Sequence, residues 1–128
     1  MNRLSRGGEG TRGSAGSWQR VPAGTLQQLK DESAVHVDLA GHSVCLVRSR
    51  GLVHALLDEC SHGQVALSDG DVEDGVVECW LHGSCFDLVS GKPTGPPATR
   101  RVPVYPVRVT GDGIEVALPG GPVGAPQR

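Results

Sequence analysis

Two short cysteine and histidine clusters constrain this chain more than any other feature: Cys60-x-His62, and sixteen residues later Cys79-x-x-His82. Two thiols and two imidazoles at such spacing read as a grip on a metal, with two ligands on each of two loops. A zinc site usually pairs like with like, in Cys-x(2–4)-Cys and His-x(3–5)-His knuckles. Here each loop pairs one Cys with one His. That mixture suits a binuclear centre to which each loop contributes on both irons, Cys60 and Cys79 on one and His62 and His82 on the other.

The rest of the chain limits what such a centre can serve. At 128 residues there is room for one domain and little for a separate catalytic one. With 19 Gly, 9 Pro and only 3% aromatics, the composition suits a loop-rich all-β protein. A net charge of -2 carries no signature of nucleic-acid binding. The charge is unevenly spread, however. Between Gly51 and Gly91 there is no Lys or Arg, while Asp58, Glu59, Asp69, Asp71, Glu73, Asp74, Glu78 and Asp87 all fall there, so the centre is expected in a negative field that steers basic partners. No apolar run is long enough for a membrane span, and the N-terminus lacks the apolar stretch of an export signal. The expected location is the cytoplasm, where four Cys read as metal ligands or free thiols rather than disulfides.

Residues 1–16 and 119–128 are rich in Gly, Ser, Arg and Pro and read as disordered tails around a folded unit at 17–118. Inside it, "SAVHVDLAGHSVCLVRSRGLVHALLDE" predicts a meander of strands at about 34–39, 42–49 and 52–57 with turns at "AGH" and "RSRG". In the second strand Val44, Leu46 and Arg48 share one face and Cys45, Val47 and Ser49 the other. "RVPVYPVRVTGDGIEVAL" predicts two more strands joined at "GDG". Only residues 23–33 suggest a helical turn, kept short by Pro22 and Gly24. The span from about 58 to 97 is punctuated by "DGD", "EDG", "HGS" and "SGKPTGPP". It reads as a loop-rich subdomain on small strands, with a thin core that gains order from a bound centre.

"CSH", "CWLHG", the trailing "FD" and the proline-rich "GKPTGPP" together resemble the Rieske family of 2Fe-2S proteins, over about Trp18 to Leu118. The chain is most similar to small soluble Rieske-type ferredoxins, especially actinobacterial members associated with iron-sulfur assembly operons. The resemblance implies an antiparallel β-sandwich with an inserted cluster-binding subdomain, and one 2Fe-2S cluster on Cys60, His62, Cys79 and His82. It places Gly63, Gly83, Ser84, Phe86, Pro93 and Pro96 around that cluster, the two glycines offering N–H groups to sulfide. Two His in place of two thiolates leave the cluster less negative, so its potential lies at about -150 to +300 mV, against about -400 mV for plant-type ferredoxins. Cytochrome bc Rieske proteins brace the loops with a disulfide, but Val65 and Leu81 stand at the matching positions. Of the two hydroxyls that hydrogen-bond cluster sulfur in those proteins, Ser84 matches one and Phe86 replaces the other. With eight nearby acids as well, the lower half of the window is expected.

The remaining histidines, His36, His42 and His54, have no second ligand at useful spacing and read as surface or packing residues. Cys45 reads as core and Cys85 as a free thiol. The run "SDGDVEDG" is either a solvated hairpin or a docking face, and Trp80 either packs under the cluster or stands out partly exposed. An oxygenase would need its own mononuclear iron site, and no domain remains to hold one. The expected function is one-electron transfer from a flavin-dependent ferredoxin reductase to a terminal non-haem iron oxygenase. Alternatives are a redox role beside iron-sulfur assembly proteins, a nitrite reductase small subunit, and a zinc-stapled interaction module.

Overall fold

The structure is a computed structural model that describes residues 18–61, 65–81, 83–96 and 98–119. The expected meander is present as β2 (Ser33–Leu39), β3 (His42–Ser49) and β4 (Leu52–Leu57), paired antiparallel in chain order. Its turns are two residues long, Ala40-Gly41 and Arg50-Gly51, and all four have positive φ. Such turns match the right-handed twist of the strands they join. The same geometry at Asp74-Gly75 joins β5 (Asp71–Glu73) to β6 (Val76–Glu78), so "VEDG" is a hairpin.

Among the described residues the strands form three sheets. A central sheet holds β2, β3, β4 and the two-residue β8 (Val104–Tyr105). A second joins β9 (Val107–Thr110), β10 (Gly113–Ala117) and β1 (Trp18–Arg20), and a third joins β5, β6 and β7 (Cys85–Asp87). The helix α1 spans only Ala23–Gln28, and Leu29 after it is extended.

β3 is covered on both faces, and its alternation sorts two cores. Val44 and Leu46 pack with Val21, Leu29, Ile114, Val116 and Leu118 on the side of the terminal strands. Cys45 and Val47 pack on the other side with Leu56, Leu67, Val72, Val77, Phe86, Leu88, Cys60 and Cys79. The segment expected as a loop-rich subdomain with a thin core therefore differs from that reading. Its apolar side chains share one core with the central sheet, and burying each large one contributes roughly 1.5–3 kcal/mol.

The C-terminal stretch also departs from expectation, supplying three strands instead of two. Pro106 has no N–H to continue a ladder, and the chain changes sheets there. Ala55 and Leu56 pair with Tyr105 and Val104, whereas Val107 to Thr110 pair with β10.

Candidate metal centre

Each expected Cys ligand heads a loop closed by its own backbone. β4 ends at Leu57, and the Cys60 N–H donates to the Val65 carbonyl at 2.9 Å. β6 ends at Glu78, the Cys79 N–H donates to the Ser84 carbonyl at 2.7 Å, and Gly83 N–H returns to the Cys79 carbonyl at 3.0 Å. Cys60 and Cys79 are 3% and 1% exposed and belong to the same packed core. His62, Gly63 and His82 fall between the ends of these loops in sequence and lie outside the described residues. Among the described residues no three His, Cys, Asp or Glu gather as a metal group.

A third segment is laced to the second loop. Asp87 N–H donates to Lys92 O, Thr94 N–H donates to Cys85 O, and Phe86 and Pro93 form a bridge. Ser61 Oγ donates to the Arg100 carbonyl, tying the first loop to the same stretch. Pro93 is partly buried and Pro96 exposed. Ser84 is fully buried, and its Oγ accepts the Ala98 N–H at 3.2 Å. Among the described residues its hydroxyl proton has no protein acceptor, although a buried hydroxyl normally finds one. Phe86, two residues further on, is also fully buried. Gly83 N–H donates to Cys79 O, and its φ of 76° serves the tight turn.

On the surface above the second loop, Trp80 is 56% and Leu81 40% exposed. The partly exposed reading of Trp80 holds. Cys85 Sγ lies 3.6 Å from the Gly83 carbonyl. Burial first, and then the charge of Glu78, pushes its pKa up, so it stays a neutral thiol. Burial likewise raises Cys45, with Asp58 adding to the effect.

The eight acids do not act as one field. Asp74 pairs with Arg50 at 2.7 Å, and Asp87 accepts Val89 and Ser90 amides in a turn. Asp58 is buried: its Oδ1 accepts Ser68 N–H at 2.8 Å, and its Oδ2 accepts Ser68 Oγ at 2.7 Å and His36 Nδ1 at 2.6 Å. His36, expected as a packing or surface residue, is therefore clamped, its Nε2 also meeting Asp38 Oδ1 at 3.1 Å. The Asp58 hydrogen bond, opposed by burial, raises its pKa. No local spacing marks this triad, because its members lie on β2, after β4 and in the 3-10 turn Leu67–Asp69. Asp71 and Glu78, by contrast, are exposed and sit directly opposite each other on β5 and β6.

The residues present fit an iron-sulfur group: two buried thiols on closed loops, and a buried hydroxyl without a protein acceptor among the described residues. The family model described as Rieske [2Fe-2S] domain matches residues 18–106. This chain belongs to the Rieske family. Its cofactor is a 2Fe-2S cluster, and its antiparallel sandwich is the expected one. The Rieske chain is 40% identical over 97 residues to the anthranilate 1,2-dioxygenase ferredoxin subunit of Burkholderia cepacia, covering 74% of this chain and 88% of that one. Among solved structures, the ferredoxin of carbazole 1,9a-dioxygenase from Nocardioides aromaticivorans IC177 superposes with a TM-score of 0.69 at 36% identity, covering 77% of this chain and 97% of that one. A chain from a complex of reduced oxygenase and oxidized ferredoxin in carbazole 1,9a-dioxygenase gives a TM-score of 0.71 at 28% identity, covering 78% and 92%. None of these names speaks of iron-sulfur assembly. Among the described residues no helix is long and apolar enough to cross a membrane.

Proposed function

We propose that this Rieske protein is a one-electron carrier, taking electrons from a flavin-dependent ferredoxin reductase and passing them to a terminal non-haem iron oxygenase. One observation carries the reading. Buried Cys60 and Cys79 head two hydrogen-bonded loops on a chain that spans nearly the full length of a dioxygenase ferredoxin subunit. When bound, a 2Fe-2S cluster supplies reversible storage of one electron.

Cys60 and Cys79 would hold one iron, and His62 and His82 the other. The loop-closing bonds of Cys60 and Cys79 hold the thiol-bearing backbone in place. Ser84 presents its hydroxyl inside the core, Phe86 excludes water beneath the second loop, and the segment with Pro93 and Pro96 forms the cover. The exposed Trp80 and Leu81 lie within the second loop, where a partner can approach. Uneven surface charge then orients that approach: Asp71 and Glu78 lie at the β5–β6 edge, while exposed Arg100 and Arg101 lie by the first loop.

The test is anaerobic purification followed by iron and sulfide assay, visible absorption and EPR. About two of each per chain, a red-brown colour and a reduced EPR signal support the reading. One zinc and no colour overturn it. Product formation by a reductase and oxygenase pair that depends on added holoprotein then tests the two partners.

A further inference from the structure

Asp58 is the one carboxylate of the cluster-bearing segment whose side chain has no exposure at all. A buried carboxylate is costly unless it is hydrogen-bonded and paired. Three donors meet it, from Ser68 N, Ser68 Oγ and His36 Nδ1, and its own N–H donates to Ser43 O at 3.0 Å. These bonds have a particular place in the chain. Asp58 is the first residue after β4 and stands two before Cys60, while Ser68 is the first complete turn after that loop. The paired Asp58–Ser68 bonds therefore close the stretch 59–67 from outside, and the Cys60–Val65 bond closes it again from within. Ser43 and His36 fasten the same point to the central sheet.

Building on the carrier reading, we propose that Asp58 is a positioning residue for the first cluster loop and also lowers the reduction potential, because its carboxylate is buried two residues from Cys60 while the imidazole paired with it, His36, is partly exposed and screened by water. Cys60 follows Asp58 by two residues and is buried in the same core as Cys79. Adding an electron close to a fixed negative charge in a medium of low dielectric is disfavoured. Exposed carboxylates such as Glu59 are screened by water and act more weakly. A neutral Asn keeps the shape but cannot accept three donors, and it removes the charge.

The experiment compares holoproteins by electrochemistry, EPR and iron content. Asp58→Asn is expected to raise the midpoint potential, Glu59→Gln to move it far less, and Ser68→Ala to weaken iron retention on heating without the same rise. Equal midpoints for Asp58→Asn and wild type at equal iron content overturn the proposal. If Asp58→Asn fails to retain iron, His36→Asn at pH 6 decides. That variant keeps the carboxylate and removes its cationic neighbour, so the midpoint falls; an unchanged or raised midpoint overturns the charge claim. A wild-type protein without colour or reversible reduction would instead sink the carrier reading itself, which separates the two failures.

Discussion

Glu32 and Asp74, forty-two residues apart, are joined directly: Glu32 Oε1 accepts the Asp74 N–H at 2.8 Å. The same carboxylate accepts Arg50 N–H at 2.8 Å and Ser49 Oγ at 3.0 Å, so one side chain staples the β3–β4 turn to the β5–β6 turn. It thereby fixes the cluster-bearing sheet against the central one. The Arg50 and Asp74 amides hold its pKa below the ordinary carboxylate value. A depressed carboxylate stabilises the fold above its unfolded pKa, and that contribution disappears as pH falls through the folded value. Glu32→Gln should melt at a lower temperature than wild type at pH 7, and the gap should close on acidification towards pH 3. A gap that stays constant across that range would show that the carboxylate charge plays no part.

Removal of the Ser84 hydroxyl should be felt twice. The Ala98 N–H, buried and bonded to Ser84 Oγ at 3.2 Å, loses its acceptor in Ser84→Ala, costing about 1–3 kcal/mol. The hydroxyl proton, which has no protein acceptor among the described residues, is available to a cluster sulfur, and its loss should lower the midpoint potential. Urea titration and protein-film voltammetry measure the two effects separately. A destabilised variant with an unshifted midpoint would confine Ser84 to a packing role.

Charge at the β5–β6 edge should favour association at some cost to the fold. Asp71 and Glu78 oppose each other across the strand pair, an arrangement of like charges that destabilises a sheet. In Asp71→Asn/Glu78→Gln, reduction by a reductase with a basic docking face should slow at low salt and converge on wild type above about 0.5 M, where screening is strong. Stopped-flow rates over a salt series provide the check, and identical salt slopes would remove this edge from the docking face. Asp74 is the wrong residue to replace for this purpose, because its pairing with Arg50 serves the turn.

Ligand replacement tests the centre most directly. Cys60→Ala, Cys79→Ala, His62→Ala and His82→Ala are each expected to lose the visible chromophore and most of the iron. Retention of an unaltered spectrum by either His variant would remove imidazole from the ligand set. Because Val77, Phe86 and Leu88 are buried in the core shared with the central sheet, circular dichroism should still report β structure in all four.

Much of the protein was legible before its fold. The apolar run Val44–Val47 and the X-Gly pairs at 40–41, 50–51 and 74–75 specify a strand and hairpins through local sterics, and the structure has them there. The spacing of Cys60, His62, Cys79 and His82 pointed to a 2Fe-2S centre, the cofactor that the family model describes, because ligand type and loop length are local properties. Tertiary structure alone decided which acids are free to act. Asp58 and Asp71 look alike in the sequence, yet one is buried against Ser68 and His36 while the other faces water. It also decided that Val104–Tyr105 and Val107–Thr110 join different sheets across Pro106, and that Glu32 spans two distant turns. These depend on contacts between segments tens of residues apart, and neither hydrophobic periodicity nor turn chemistry carries information over that distance.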